Sequence, residues 1–241
     1  MKKIFFLLAF LVCALSAQAQ VWAEASARFM YGVRGFYNQN IIDDRNHNYH
    51  INANEAFGGG LGINFNTRHG LQVELLWATN GQNLDYDNGN SSLIKNRIKW
   101  TTREFVLLYR FYAGASYLEL GPKIVRVTDV DQSLDNIFPM EKIEPFYQTS
   151  YPSAVFGVGG LIAGSEDFSF RMGVRLEYTW ADFVSEKGKN ANYPATYVDP
   201  PYETYTPTHP FSASIFAEFN LPIGGVAKAG CGQRTFIWGG Y

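Results

Sequence analysis

Between residues 170 and 180 the chain reads FRMGVRLEYTW, and its character changes at every step. Phe170, Met172, Val174, Leu176, Tyr178 and Trp180 fall on one side; Arg171, Gly173, Arg175, Glu177 and Thr179 fall on the other. A period of two predicts a β-strand with one apolar and one polar face. Seven further segments alternate too: 27–37, 57–65, 71–79, 100–111, 117–128, 153–162 and 211–221. In the first, Phe29, Tyr31 and Val33 oppose Arg28, Met30 and Arg34; in the fourth, Phe105, Leu107 and Tyr109 oppose Glu104 and Arg110. Pro122 leaves the later parity of 117–128 open, and 153–162 is small and apolar on both sides.

The segments between these strands alternate in length. They run long (38–56), short (66–70), long (80–98), short (112–116), long (129–152), short (163–168) and long (181–210). A soluble sandwich has no reason for such regularity. A transmembrane barrel does, with short periplasmic turns at one end and long extracellular loops at the other. Strands of this length suit the roughly 9–11 residues that cross a bilayer at a tilt. The expected fold is therefore all-β: an eight-stranded antiparallel transmembrane barrel, apolar face toward lipid, both ends of the ring on the periplasmic side. The outward aromatics sort into two girdles, Phe29, Phe65, Phe111, Phe170 and Phe219 on the inner side and Tyr37, Phe57, Trp77, Trp180 and Phe211 on the outer, as rings favour the headgroup zone. Trp100 lies at girdle height on the wrong parity.

The amino terminus changes the picture by adding export. Lys2 and Lys3 precede an apolar run from Ile4 to Leu15, and Ala17-Gln18-Ala19 offers a cleavage site. That predicts a secretory signal peptide over 1–19, a barrel over 20–223 and a periplasmic tail over 224–241. Val12 before Cys13 does not suit a lipoprotein signal. With cleavage, Cys231 is the one cysteine left, so no internal disulfide is expected. Aromatic residues reach 16% with 23 glycines, a composition that fits a barrel. A net charge of −2 gives no basic field for nucleic acid.

One stretch carries a family resemblance. REFVLLYRFYAGASYLELGPKIVRV, residues 103–127, resembles the central hairpin of PorT-like outer-membrane β-barrel domains, which often read L-E-I-P-L-L-L-K-Y, a short turn, then Y-L-E-A-G-P. Val106 stands where that pattern often has Pro, and Leu120 where it often has Ala. The looser eight-strand layout extends the resemblance over 25–223. It implies an outer-membrane barrel; some members of the family serve protein secretion and gliding machinery.

The rows facing the lumen carry Arg28, Arg34, Arg110, Arg171 and Arg175 against Glu74, Glu104, Glu119, Glu177 and Glu218. An eight-stranded barrel is only wide enough inside for side chains. Unpaired buried charge is costly, so these ten side chains should form a network of ion pairs. Glu104 and Glu119 imitate a hydrolytic carboxylate pair, but nearby arginines would keep both ionised and neither would act as an acid. His47, His50, His69 and His209 lie in loops or turns with no metal-ligand spacing, and Asp85-Tyr86-Asp87-Asn88-Gly89-Asn90 has its glycine one place too early for a calcium loop. No nucleophile elbow, phosphate loop or cofactor motif occurs. No catalytic residue, metal or cofactor is therefore assigned.

YPATYVDPPYETYTPTHP, residues 193–210, brings Tyr193, Tyr197, Tyr202 and Tyr205 into an outer loop stiffened by proline. Such a loop offers amphipathic contact area at modest entropic cost and is a candidate extracellular contact face for a protein or glycan. The tail GGVAKAGCGQRTFIWGGY, with Thr235-Phe236-Ile237-Trp238 and terminal Tyr241, could dock on the barrel or on a partner. The functional expectation is a non-enzymatic outer-membrane barrel: a structural or interaction component of the envelope, linked to secretion by the resemblance alone, with membrane lipid and other envelope proteins as partners. A small pore for solutes and a soluble ligand-binding barrel are the alternatives.

Overall fold

Eight long strands close into one ring in the computed structural model. It describes residues 22–237 except 88, 90–92, 135–140, 166, 224 and 230–232. The strands are β1 (Trp22–Asn38), β2 (Ala53–Asn64), β3 (His69–Asp87), β4 (Leu93–Ala113), β5 (Ser116–Leu134), β6 (Ser150–Gly164), β7 (Ser169–Tyr178) and β8 (Thr208–Ile223). Each pairs antiparallel with the next, and β8 closes on β1 from Ala23 opposite Ile223 to Asn38 opposite Thr208. Closure matters physically because lipid offers no partner for an unpaired strand edge. The described residues contain no helix long and apolar enough to cross a membrane. The strands do the crossing.

The parity of FRMGVRLEYTW carries through. Val174 and Leu176 point outward and are about half exposed (45% and 50%), whereas Arg175 is fully buried in the lumen. Phe105, Leu107, Ile124, Val158 and Ile215 extend the same outward apolar band. The short turns fall between β2 and β3, β4 and β5, and β6 and β7; Gly114, in the second, takes the left-handed conformation (φ 63°) that a glycine reaches at little cost.

Two expectations change, and the parity left open after Pro122 is resolved. The segment 80–98, read as a long loop, is mostly strand: β3 and β4 run on together as far as Asp87 opposite Leu93. Alternation continues there, but its sense inverts. Leu84, Tyr86, Ile98 and Trp100 turn inward and are buried, while Lys95, Arg97 and Lys99 turn outward and are exposed. Below the inversion the outside is lipid and apolar; above it the outside is water and charged. Trp100 thus belongs to an interior, which explains its parity. Second, Phe29 stands directly opposite Phe57 in the β1–β2 register, and Phe57 stacks on Trp77 at 6.1 Å. Phe29 therefore lies at the depth of the outer girdle. On β5 the odd-numbered inward row runs through Pro122 unchanged to Lys123 and Val125, and Thr128 is then bulged opposite the Thr101/Thr102 step, which moves the inward parity from odd to even. A bulge of this kind adds one residue and re-aims the strand.

The long connections fold over the outer mouth. A short helix (Gln39–Asp43), a strand (His47–His50) that pairs with the top of β3, a 3₁₀ turn (Glu144–Phe146) and a helix (Glu186–Asn190) surround a cluster of buried Phe36, Ile41, Trp100, Tyr147, Tyr151 and Phe183. In the tail, Gly225–Ala229 pairs with Gln233–Ile237 as a separate two-stranded sheet. The expected signal peptide with Cys13, Asn88 and Asn90 of the calcium-like loop, Cys231, Trp238 and Tyr241 lie outside the described residues.

The lipid-facing band yields a prediction. Val174→Arg places a charge against acyl chains beside Val158 and Ile215 and should cost about 2–4 kcal/mol at mid-bilayer. Thr101→Arg, outward but above the inversion, should be tolerated. The readout is the fraction of membrane-inserted protein whose gel mobility shifts on boiling: reduced for the first variant, unchanged for the second.

Candidate functional site: the lumen

The lumen is filled by twelve charged side chains that sort into two groups. Toward the periplasmic end, Arg28 (β1), Glu74 (β3), Arg110 (β4), Glu119 (β5), Arg171 and Arg175 (β7) and Glu218 (β8) meet Glu24 (β1). Arg28 lies 2.9 Å from Glu119 and 3.2 Å from Glu74, and also contacts Glu218. Arg110 lies 3.1 Å from Glu119 and 2.6 Å from Glu218. Arg175 reaches Glu74 at 2.9 Å and Glu119 at 2.6 Å, and Arg171 reaches Glu24 at 2.9 Å. Toward the outer end, Arg34 (β1) meets Glu104 (β4) at 2.6 Å, and Lys123 (β5) joins Glu104 at 3.1 Å to Glu177 (β7) at 2.7 Å.

The arithmetic of charge is informative. The inner group has four arginines and four glutamates, and the outer group one arginine and one lysine against two glutamates. Each group is neutral by itself, and every one of the six carboxylates touches at least two cations. Leaving a charge unpaired at this depth would be expensive, and neutral groups avoid that. Room for the network comes from glycine: a Cβ on Gly157 would lie 2.8 Å from Cγ of Glu119, and one on Gly60 3.1 Å from Cγ of Glu74.

Apolar side chains separate the two groups. Met30 on β1, Leu76 and Ala78 on β3, Val106 and Leu108 on β4 and Phe216 on β8 are buried between their strand's inner and outer polar positions. Gly121 fills the corresponding place on β5, and on β7 Arg175 and Glu177 are adjacent inward residues. Phe216 also forms a floor for the guanidinium of Arg28, 4.3 Å from its ring centre, a favourable cation–π distance. In the outer group a cavity of about 10 Å³ is lined by Arg34, Asn80, Glu104, Lys123, Tyr151 and Glu177, which is the size of a single water.

All ten lumen residues named from the sequence point inward and take part in the network. Two members were missed. Lys123 follows Pro122, where the parity was left open, and Glu24 precedes the expected start of the first strand; carrying the even-numbered inward row of β1 back from Arg28 would have found it. The carboxylates Glu104 and Glu119 sit in different groups, each saturated by cations, with no shared space for a substrate.

The four loop tyrosines are half-buried, and each is held by a neighbour in the cap. Tyr193 stacks on Phe146 at 4.4 Å, Tyr197 donates to or accepts from His47 at 3.1 Å, Tyr202 donates to Asp44 at 3.1 Å, and Tyr205 donates to Asp182 at 2.7 Å. They seal the cap. His50 pairs with Asp85 at 2.9 Å, while His69 and His209 lie against Tyr109 and Tyr178 on the barrel wall.

A family model described as the outer membrane protein beta-barrel domain matches residues 5–198. Similar solved structures include the outer membrane protein OprG of Pseudomonas aeruginosa (10% identity, 88% of this chain and 99% of that one, TM-score 0.44). Ail of Yersinia pestis, solved with the heparin analogue sucrose octasulfate, is 13% identical over 83% of this chain and 99% of its own, TM-score 0.42. Neisserial surface protein A is 12% identical over 83% and 97%, TM-score 0.39. No curated protein matches the chain.

Two predictions follow from this geometry. Arg175→Ala leaves Glu74 and Glu119 short of a partner and should destabilise the folded barrel by about 3–5 kcal/mol without removing it from the membrane. Adding Glu74→Gln should recover much of that loss; unfolding by denaturant in lipid vesicles reads both. In the cap, burial lowers the pKa of His47 while Asp44, 3.0 Å away, opposes the shift, and Tyr86, Tyr197 and Tyr202 complete its surroundings. The folded state therefore favours neutral His47, so cap stability is full above the ordinary histidine range and falls as pH drops through it. Limited proteolysis of the outer loops should quicken on mild acidification, and His47→Gln should remove the step.

Proposed function

Because the chain belongs to the outer membrane protein β-barrel domain family, we propose that it acts in the bacterial outer membrane as a closed, non-enzymatic barrel, a structural or interaction component of the envelope. The observation that carries this reading is the double closure of its interior: two neutral ion-pair groups with apolar side chains between them, under an apolar cap. A conducting pore needs a continuous wet path, and a soluble lipocalin-like barrel needs an apolar cavity; neither matches a lumen of this kind. Carboxylates each held by two or more cations support no acid–base role.

The finer reading places the protein beside a secretion apparatus. Its support is the likeness of hairpin 103–127 to PorT-like barrels, and the closed interior is consistent with a part that anchors or organises rather than transports. Residues 1–19 would then be removed on export, and 224–241 would hang in the periplasm, where a short hairpin could meet other envelope components.

Reconstitution into planar bilayers tests the closed state: wild-type protein should give no steady conductance, and a stable open level in most insertions would overturn it. Crosslinking in intact cells tests the interaction role. It should capture a recurrent set of envelope proteins through the tail or the cap, and repeated capture of none would leave only a structural part.

A further inference from the structure

The outer face of β4 and β5 carries a charge arrangement that the closed barrel does not use. Moving outward along β4, the exposed row reads Phe111, Tyr109, Leu107, Phe105, then Arg103, Thr101, Lys99 and Arg97. Along β5 it reads Leu118, Leu120, Pro122, Ile124, then Arg126 and Thr128. On both strands an arginine is the first charged position beyond the apolar band, and the two are register partners, Arg103 directly opposite Arg126. On its other side Arg103 stands opposite Trp77 of the outer girdle. That fixes the depth: the pair lies where the headgroups of the outer leaflet begin.

Like charges placed directly opposite across two strands repel. Neither arginine has a hydrogen-bonding or ionic partner among the described residues, and just outside them the threonines Thr101 and Thr128 bond to each other at 2.9 Å. Lys99 lies two positions further along the same row, with Asp131 as its own cross-strand partner. Near this depth the outward positions of the other strands are Trp77, Glu55, Val33, Phe211, Tyr178 and Pro152, so the basic character is confined to one side of the barrel. Two forked guanidinium groups side by side at headgroup depth match a phosphate monoester or diester, which can take paired hydrogen bonds from each. An anion between them would also turn the cross-strand repulsion into attraction.

We infer that Arg103 and Arg126, seconded by Lys99, form a binding site for the phosphate of an anionic outer-leaflet lipid. The lipid would hold one side of the barrel in register with its leaflet. The site is independent of whether the lumen conducts, so its failure would leave the closed-barrel reading untouched.

The test uses the full chain folded into phosphatidylcholine vesicles alone, with lipid A, or with lipid A stripped of its phosphates. The temperature at which the folded gel band is lost should rise with lipid A and not with the dephosphorylated lipid. Arg103→Gln/Arg126→Gln should abolish that rise, and lipid A retained per barrel through purification should fall about tenfold, as two charge-assisted contacts are lost. Arg45→Gln, in an outer loop, should keep both effects. In plain phosphatidylcholine the double variant should be at least as stable as wild type, which separates lipid loss from misfolding. An equal rise in the double variant, or an equal rise with dephosphorylated lipid, would overturn the site. Reproduction of the rise by inorganic phosphate alone would make it a free-anion site and overturn its assignment to lipid.

Discussion

A charge inside a narrow barrel has no water to turn to, and this constraint organises the rest of the molecule. The wall presents apolar side chains to lipid, so the strand period of two turns the polar residues that alternate with them into the lumen. There the only affordable partner is an opposite charge. Arg28, Arg110, Arg171 and Arg175 are met by Glu24, Glu74, Glu119 and Glu218, and Arg34 and Lys123 by Glu104 and Glu177. Because each group is neutral by itself, neither depends on the other, and apolar residues can lie between them. The lumen is a polar core built in layers.

The same constraint explains the top of the molecule. Once β3 and β4 rise beyond the bilayer, the outside is water and the roles of the two faces exchange. Lys95, Arg97 and Lys99 face solvent, and Leu84, Tyr86, Ile98 and Trp100 gather inward with Phe183 and Tyr147 from the long connections. One continuous hairpin thus runs from a barrel with a charged inside to a cap with an apolar inside. The point of exchange marks the membrane surface, and there the Arg103–Arg126 pair sits.

Much of this was legible in the chain. The alternation of residues 170–180 predicts both the strand and which way Arg175 and Val174 point, because a one-residue slip would reverse every side chain. Loop lengths that alternate short and long supply the topology. Other features were hidden for definite reasons. The inverted stretch 80–98 keeps its period and changes its sense, so a reading keyed to apolar-outward rows stops at Thr79. Lys123 is masked by Pro122, whose effect on parity depends on tertiary pairing. The bulge at Thr128 leaves no composition signal. For the loop tyrosines the sequence shows amphipathic rings and not the Phe146, His47, Asp44 and Asp182 that hold them.

The layered lumen forms a plug with no continuous path for water. Ser214 on β8 points inward between the outer group and Phe216 and is almost fully buried. In a Cys231→Ser background, Ser214→Cys in folded protein should resist a small charged methanethiosulfonate reagent from both sides of the membrane, while Lys99→Cys on the outer hairpin reacts at once. Rapid labelling of Cys at position 214 in protein that is still folded by its gel mobility would contradict the plug and show a water path through the barrel.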